Sequence, residues 1–310
     1  MKPKIVKVYA PATIANVGAG FDVLGIAIDA PGDIVIAKRI PEPELIFSLR
    51  QRTPNVPAHS KNVAAHVAQL LLDEARPPFG VALTLFKKMP VGSGLGSSGA
   101  SCAAAVFAVN ALLPKPLSKM DLLPFAVEGE RLASGAPHAD NVAPSLLGGV
   151  CLIQSYQPLS VIKLPVKNVF YWIVAHPHCI VETKKARHIL PTSLPLSVTT
   201  SQLGCLGGLI TGLITGDKPL TGRSIQDFIA EPARAKLIPG FAAAKQAAFA
   251  AGALGYSISG SGPSVFALAA SLKEAKQIAR AIQTAFKQQA KLKCDIYISK
   301  INQNGTTLTG

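Results

Sequence analysis

At 310 residues the chain can bury one large core or two lobes sharing one, and with 49% hydrophobic and 15% charged residues it is neither disordered nor fibrous. Its 31 Lys and Arg against 17 Asp and Glu give a net charge of +14, yet no basic run exceeds a pair and aromatics make up only 6%. That balance points to steering of a small anion and away from nucleic acid as a partner. Five cysteines (Cys102, Cys151, Cys179, Cys205 and Cys294) are odd in number and form no C-x-x-C or other metal spacing, which reads as buried thiols of a cytoplasmic protein.

Lysines at 2, 4 and 7 interrupt any apolar signal-like segment, and residues 4–9 (KIVKVY) read as a strand. An apolar pattern over 24–37 is punctuated by Pro31-Gly32, which predicts a turn between two strands. Residues 62–75 (NVAAHVAQLLLDEA) have helical spacing, ended by Arg76-Pro77-Pro78, and VALTLFKKMP, from 81 to 90, predicts a strand leading into a glycine-rich stretch. A helix of small residues follows over 101–113, then a second, capped by Ser118, to about 134. Strands are predicted at 146–154 and 170–175, helices at 197–215 and 241–251, short strands at 256–259 and 264–269, an amphipathic helix at 272–291 and a closing strand at 294–299. The polar tail 302–310 is expected to fray. Strands and helices mix without strict alternation, so the fold class is α+β with antiparallel pairing. Two charge-free windows, 89–114 and 189–216, exceed the length of a membrane span, but their glycines, prolines and hydroxyl residues read as buried helices of a soluble protein, with no membrane partner.

The stretch PVGSGLGSSGAS, residues 90–101, sits between the strand and the small-residue helix. Glycines allow positive φ and close backbone approach, so this loop can turn several N–H groups toward one point, and the helix start behind it adds to an anion site suited to phosphate. Gly94 to Gly99 also fits the dinucleotide pattern G-x-G-x-x-G, although a helical segment follows instead of a strand ending in an acid. A Walker A loop is excluded because the window holds no lysine; a plain loop is the third reading. A second cluster, Glu130 with His138-Ala139-Asp140-Asn141, combines metal-binding and hydrogen-bonding groups, or is a capped helix end. His176-Pro177-His178 reads as strand-end histidines for want of a third ligand. NVGAGFDVLG, with Asn16 and Asp22, and SGSGPS at 259–264 complete the set of polar, glycine-rich segments.

Taken together, PATIANVGAGFDVLG (11–25), PVGSGLGSSGAS (90–101) and SISGSGPSVFAL (257–268) resemble the three motifs of the GHMP small-molecule kinases. HADNVAP (138–144) and EPARAKLIPGF (231–241) resemble the branch of that superfamily that phosphorylates L-homoserine. The resemblance implies a two-lobed GHMP kinase fold: an N-terminal, ATP-binding domain with a left-handed βαβ unit, taken as 1–155, and a ferredoxin-like C-terminal domain, taken as 156–310. It also implies transfer of the γ-phosphoryl of ATP to the L-homoserine hydroxyl, giving O-phospho-L-homoserine for threonine biosynthesis, with Mg²⁺ as cofactor. The alternatives are another GHMP kinase, such as a mevalonate or isoprenoid-pathway kinase, and a nucleotide-binding regulator without turnover. A homodimer stays open.

Carried over by position, Pro90, Val91, Gly92, Ser93, Gly94, Leu95, Gly96, Ser97, Ser98, Gly99 and Ala100 would wrap the triphosphate, with Asn62 near adenine and Ser98 and Glu130 on Mg²⁺. Asn16, Asp22, His138, Asp140 and Asn141 would line the acceptor pocket, Asp140 and Asn141 orienting the hydroxyl without a dedicated base. Arg187 and Arg234, with Thr183, would hold the acceptor carboxylate, a task suited to the guanidinium fork. Ile14, Ala19 and Gly99 stand where this branch commonly shows Ser, Pro and Ala.

Overall fold

The computed structural model describes residues 3–50, 56–57 and 61–309; Lys2 and Gly310, on which parts of the sequence reading fall, lie outside the described residues. β1 (Ile5–Ala15) and β2 (Leu24–Ile40) form a long antiparallel pair. Their register shifts between Pro11, opposite Gly32, and Thr13, opposite Ala27. Pro31-Gly32 therefore lies in an irregularity within one 17-residue strand and not in a turn between two, because pairing with β1 resumes on both sides and the extra residues bulge out. β3 (Leu45–Arg50), which the sequence reading did not anticipate, runs parallel to β4 (Gly80–Phe86) through the crossover helix α1 (Val63–Ala75).

α2 (Ser97–Leu112) begins at Ser97, inside the glycine stretch, four residues before the expected start, because Gly96 in the left-handed region already serves as its N-cap. Thirteen of its sixteen residues are buried, which makes it the central helix of the first core. α3 (Lys119–Ser134) starts at its Ser118 cap as read from the sequence. The HADN segment opens a helix, α4 (Ala139–Leu147), so the strand expected from 146 begins only at β5 (Val150–Tyr156), after Gly148 and Gly149 at φ 76° and 77°. β6 (Leu159–Leu164) pairs with β5, and β5 with β2.

Beyond residue 170 a second sheet forms. Its first strand is β7 (Tyr171–Pro177), followed by α5 (Thr183–His188), α6 (Leu196–Thr215), α7 (Lys218–Ser224), α8 (Glu231–Arg234) and α9 (Phe241–Ala250). Then come β8 (Gly255–Ile258), β9 (Val265–Ala269), α10 (Leu272–Gln289) and β10 (Cys294–Ser299). The antiparallel order β10-β7-β9-β8 is 4-1-3-2 in strand sequence, with helices between the first and second and between the third and fourth strands, which is the ferredoxin-like arrangement. Ile173, Ile258, Ile278, Ile282 and Phe286 centre its core.

Two expectations fail here. Up to Thr309 the tail is not frayed: β11 (Thr307–Leu308) pairs with β1, and the buried Thr306 hydroxyl donates to Ser145 O, so hydrogen bonds hold a segment whose polarity suggested disorder. And α6, unlike α2, is not a buried helix. It is long and apolar enough to cross a membrane by length and composition, yet only Gln202, Leu209, Gly212 and Leu213 are buried, because it packs along one face while Leu196 and Leu203 face outward.

Candidate active site

The glycine stretch alternates. Ser93, Leu95 and Ser97 are buried, while Gly92, Gly94, Gly96 and Ser98 are partly exposed, and the three glycines take φ of 66°, 77° and 68°. Left-handed residues at every second position turn N–H groups toward the exposed side, where no Cβ stands. The loop is strapped from below: Ser259 Oγ donates to Gly94 O (2.6 Å), Ser264 N to Ser93 O (3.0 Å) and Thr13 N to Leu95 O (3.1 Å). A side chain on Gly94 would run into the carbonyl oxygens of Ser259 and Gly262. Gly96, the N-cap of α2, has no side chain to cap it, so the first-turn amides, preceded by this loop, can receive an anion.

Behind the loop, the Ser98 hydroxyl hydrogen-bonds to the buried Glu130 carboxyl, which burial raises above the usual carboxylate range while Ser98 and Lys87 pull it down. Beneath both lies a buried ion pair: Lys87 Nζ donates to Asp33 (2.5 Å), to Ser97 O (2.6 Å) and to Ser101 Oγ (2.9 Å), and Asp33 also accepts from Ser101 and from the N–H groups of Lys88 and Met89. Ser98 and Glu130 supply hard oxygen donors of the kind that bind Mg²⁺ together with phosphate oxygens, and a divalent cation would offset the desolvation of Glu130.

The other wall is made of side chains from separate elements. Asn16, with φ 68°, accepts the Asp22 N–H at Oδ1 (3.1 Å) and donates to Gly260 O (3.2 Å). Asp22 pairs with Arg187 (2.7 Å), whose Nη1 lies 3.3 Å from His138 Nε2. Arg234, buried at 4% exposure, donates Nε to Ala186 O and Nη1 to Gly260 O, and both guanidinium groups lie over the Phe21 ring. α8 is held for this task. Asp227 accepts the N–H groups of Ile229, Ala230 and Glu231, and Glu231 takes hydrogen bonds from Lys245 and Ser257. Burial lowers the pKa of His138, keeping the imidazole neutral beside two arginines. Burial pushes the Asp140 carboxyl up to about 8, with Asp22 and Glu130 adding to the shift, and among the described residues its Oδ1 has no hydrogen-bond partner. Asn141 Oδ1 accepts from Thr13 (2.7 Å).

The structure thus brings the loop, Ser98, Glu130, Asp140, Asn141, Asn16, Asp22, His138, Arg187 and Arg234 to one cleft between the two sheets. Thr183 joins at the rim, 3.4 Å from Ser261. Asn62 is occupied elsewhere: it caps α1 through Ala64 N and donates to Pro57 O. His178 pairs with Asp295, and His176 meets Ser264, as strand-end residues. Sequence reasoning missed Thr13, Phe21, Asp33, Lys87, Tyr156 and Ser259. Of these, Tyr156 joins the two acceptor segments, its hydroxyl donating to Asp22 O (2.8 Å) and accepting from Ala139 N (3.3 Å). Only Thr13, Phe21 and Ser259 lie inside the recognised motifs, and nothing local in the sequence singled out the other three.

A phosphate-sized loop facing an acceptor wall of carboxylate, imidazole and arginines, across two α/β lobes, defines a small-molecule kinase. Residues 62–149 match the family model of the GHMP kinases N terminal domain, and 209–288 that of the GHMP kinases C terminal. Relatives include homoserine kinase of Chlorobaculum tepidum, 46% identical over 98% of each chain, and that of Chlorobium phaeobacteroides strain BS1, 45% identical over 97% of this chain and 98% of the relative. The crystal structure of homoserine kinase from Cytophaga hutchinsonii, 47% identical, superposes with a TM-score of 0.96 over 100% of this chain and 98% of that one. The chain belongs to the homoserine kinase family of GHMP kinases.

Proposed function

We propose that the chain is an ATP:L-homoserine O-phosphotransferase, passing the γ-phosphoryl of ATP to the side-chain hydroxyl of L-homoserine to give O-phospho-L-homoserine for threonine biosynthesis. The observation that carries this reading is the convergence of Asp22, Arg187 and Arg234 around Phe21, next to the glycine loop. An α-amino acid brings one cation and one anion. Its ammonium complements Asp22 and its carboxylate the two guanidinium groups, so the bound zwitterion would replace the internal Asp22–Arg187 pair by two complementary ones. The triphosphate would lie on the amides of residues 92–98 and the start of α2, while the Asn62 side chain is already engaged as the cap of α1.

Ser98 and Glu130 would hold Mg²⁺, which supplies charge neutralisation on the phosphates. Phosphoryl transfer through a loose transition state demands positioning more than a strong base. Asp140 and Asn141 orient the acceptor hydroxyl, and His138, neutral, accepts from Arg187 and holds it in place. The five free thiols are compatible with a cytoplasmic enzyme.

The test is ADP release with ATP and Mg²⁺ across homoserine, mevalonate, serine and threonine. Homoserine is expected to dominate. Preference for mevalonate would assign the chain to another GHMP activity, and ATP binding without turnover of any acceptor would make it a regulator.

A further inference from the structure

We propose that Thr13 is a positioning residue for the phosphoryl transfer: its hydroxyl sets the polarity of the Asn141 side chain, so that Asn141 faces the cleft as a hydrogen-bond donor through Nδ2. The inference rests on the reading of Asn141 as a residue that meets the reacting groups. Thr13 is fully buried in β1, with Oγ1 2.7 Å from Asn141 Oδ1. A hydroxyl has one proton to give and an amide oxygen has none, so Thr13 donates and the Asn141 NH₂ group is left for the other side. Asn141 is partly exposed, whereas Thr13 is not, so the free end of the amide is the one that reaches the cleft.

The same residue also holds the loop. The β1–β2 register shift falls at Thr13, and its N–H goes to Leu95 O, at 3.1 Å, in the middle of the glycine stretch. A Cβ on Gly96 would collide with both Thr13 Oγ1 and Asn141 Oδ1, so the contact lies directly beneath the last glycine of the loop. One side chain and its own backbone therefore set the spacing between the phosphate cradle and Asn141. As a donor, Asn141 holds an oxygen in the line of transfer and takes no proton from it. This separates its task from that of Asp140, whose buried carboxyl is an acceptor when ionised.

The experiment compares Thr13→Val, which keeps the shape and removes the hydroxyl, with Thr13→Ser, which keeps the hydroxyl, alongside Asn141→Ala and Asn141→Asp, in steady-state assays with ATP, Mg²⁺ and homoserine. Thr13→Val is expected to lower kcat about 10- to 100-fold with both KM values within about threefold, and Thr13→Ser to stay within about threefold of the parent. In an Asn141→Ala background, Thr13→Val should cost little more, because the two act as one unit. Asn141→Asp should fall as far as Asn141→Ala, since it puts an acceptor where a donor is needed; this arm does not depend on Thr13→Val folding. The proposal is overturned if Thr13→Val keeps kcat, if Thr13→Ser is as damaged as Thr13→Val, if the Thr13 and Asn141 losses multiply, or if Asn141→Asp stays active. Full turnover by Asn141→Ala would instead sink the reading of Asn141 on which the proposal rests.

Discussion

The two walls of the cleft are built on opposite principles. On the nucleotide side the recognition surface is backbone: glycines at 92, 94 and 96 in the left-handed region, with buried Ser93, Leu95 and Ser97 between them as anchors. On the acceptor side it is side chain, with Asp22, His138, Arg187 and Arg234 drawn from four elements or turns and held by a second layer that includes Tyr156, Glu231 and the Gly260 carbonyl. A surface of amides tolerates added atoms poorly: a Cβ on Gly94 would meet backbone carbonyls, and one on Gly96 the buried Thr13 hydroxyl and the Asn141 amide. A surface of charged side chains can lose one member and keep its shape while losing affinity. Geometry should thus fail on one side and binding on the other.

The largest effect is expected for Gly94→Ala. With φ at 77° and the Ser259 and Gly262 carbonyl oxygens in the way, the added methyl must displace the loop, and a shift of about 1 Å at a reacting group costs on the order of 100-fold in turnover. Both kcat and the KM for ATP should suffer, while circular dichroism stays that of a folded protein. Arg234→Ala should instead raise the KM for homoserine about 10- to 100-fold, the worth of a lost charged hydrogen bond, with the KM for ATP within about threefold. Equal effects on both substrates would erase the distinction between the walls.

Asp140 gives a pH test of the acceptor side. Its carboxyl titrates near 8 in the fold against 3.8 in the unfolded chain, so the native state binds the extra proton between those values. The stability it contributes is complete below about pH 4, is lost as pH rises towards 8, and changes no further above that. Asp140→Asn should therefore gain on the parent as pH rises, by up to about 1 kcal/mol per pH unit, in urea unfolding at pH 5, 7 and 8.5 without divalent ions. A parent-to-variant gap independent of pH would contradict the buried neutral acid. The smallest effect belongs to Gly99→Ala: a Cβ there would lie 3.3 Å from Asn141 Cβ and 3.2 Å from Val142 N, close enough to nudge α4 but not to break it, and kcat should stay within about threefold.

The same contrast governs what could be read from sequence. The nucleotide wall is contiguous, and since its chemistry is the absence of side chains, a dozen residues announce it. What stayed hidden was the strapping, because Ser259 and Thr13 reach the loop from 165 and 82 positions away along the chain. The acceptor residues were identified one at a time through motif resemblance, but their pairing was not: nothing local says that Asp22 meets Arg187 or that Arg234 is buried. Lys87 and Asp33 were invisible for the same reason, each resembling an ordinary surface charge until the fold closes over both. Among the elements, helices with clear caps, such as those beginning at Asn62 and Ser118, began where expected. The misreadings at Pro31-Gly32, at HADN and in the tail arose where tertiary pairing overrode local composition.

The acceptor wall should read a zwitterion to which the nucleotide wall is indifferent. The most direct measurement is kcat/KM for homoserine beside 3-aminopropan-1-ol, which lacks the carboxylate, and 4-hydroxybutyrate, which lacks the ammonium, each at saturating ATP and Mg²⁺. Either analogue is expected to lose at least about 100-fold, consistent with charged groups left unpaired in a partly buried site, while the KM for ATP is unchanged. Turnover of either analogue at a rate close to that of homoserine would contradict that reading.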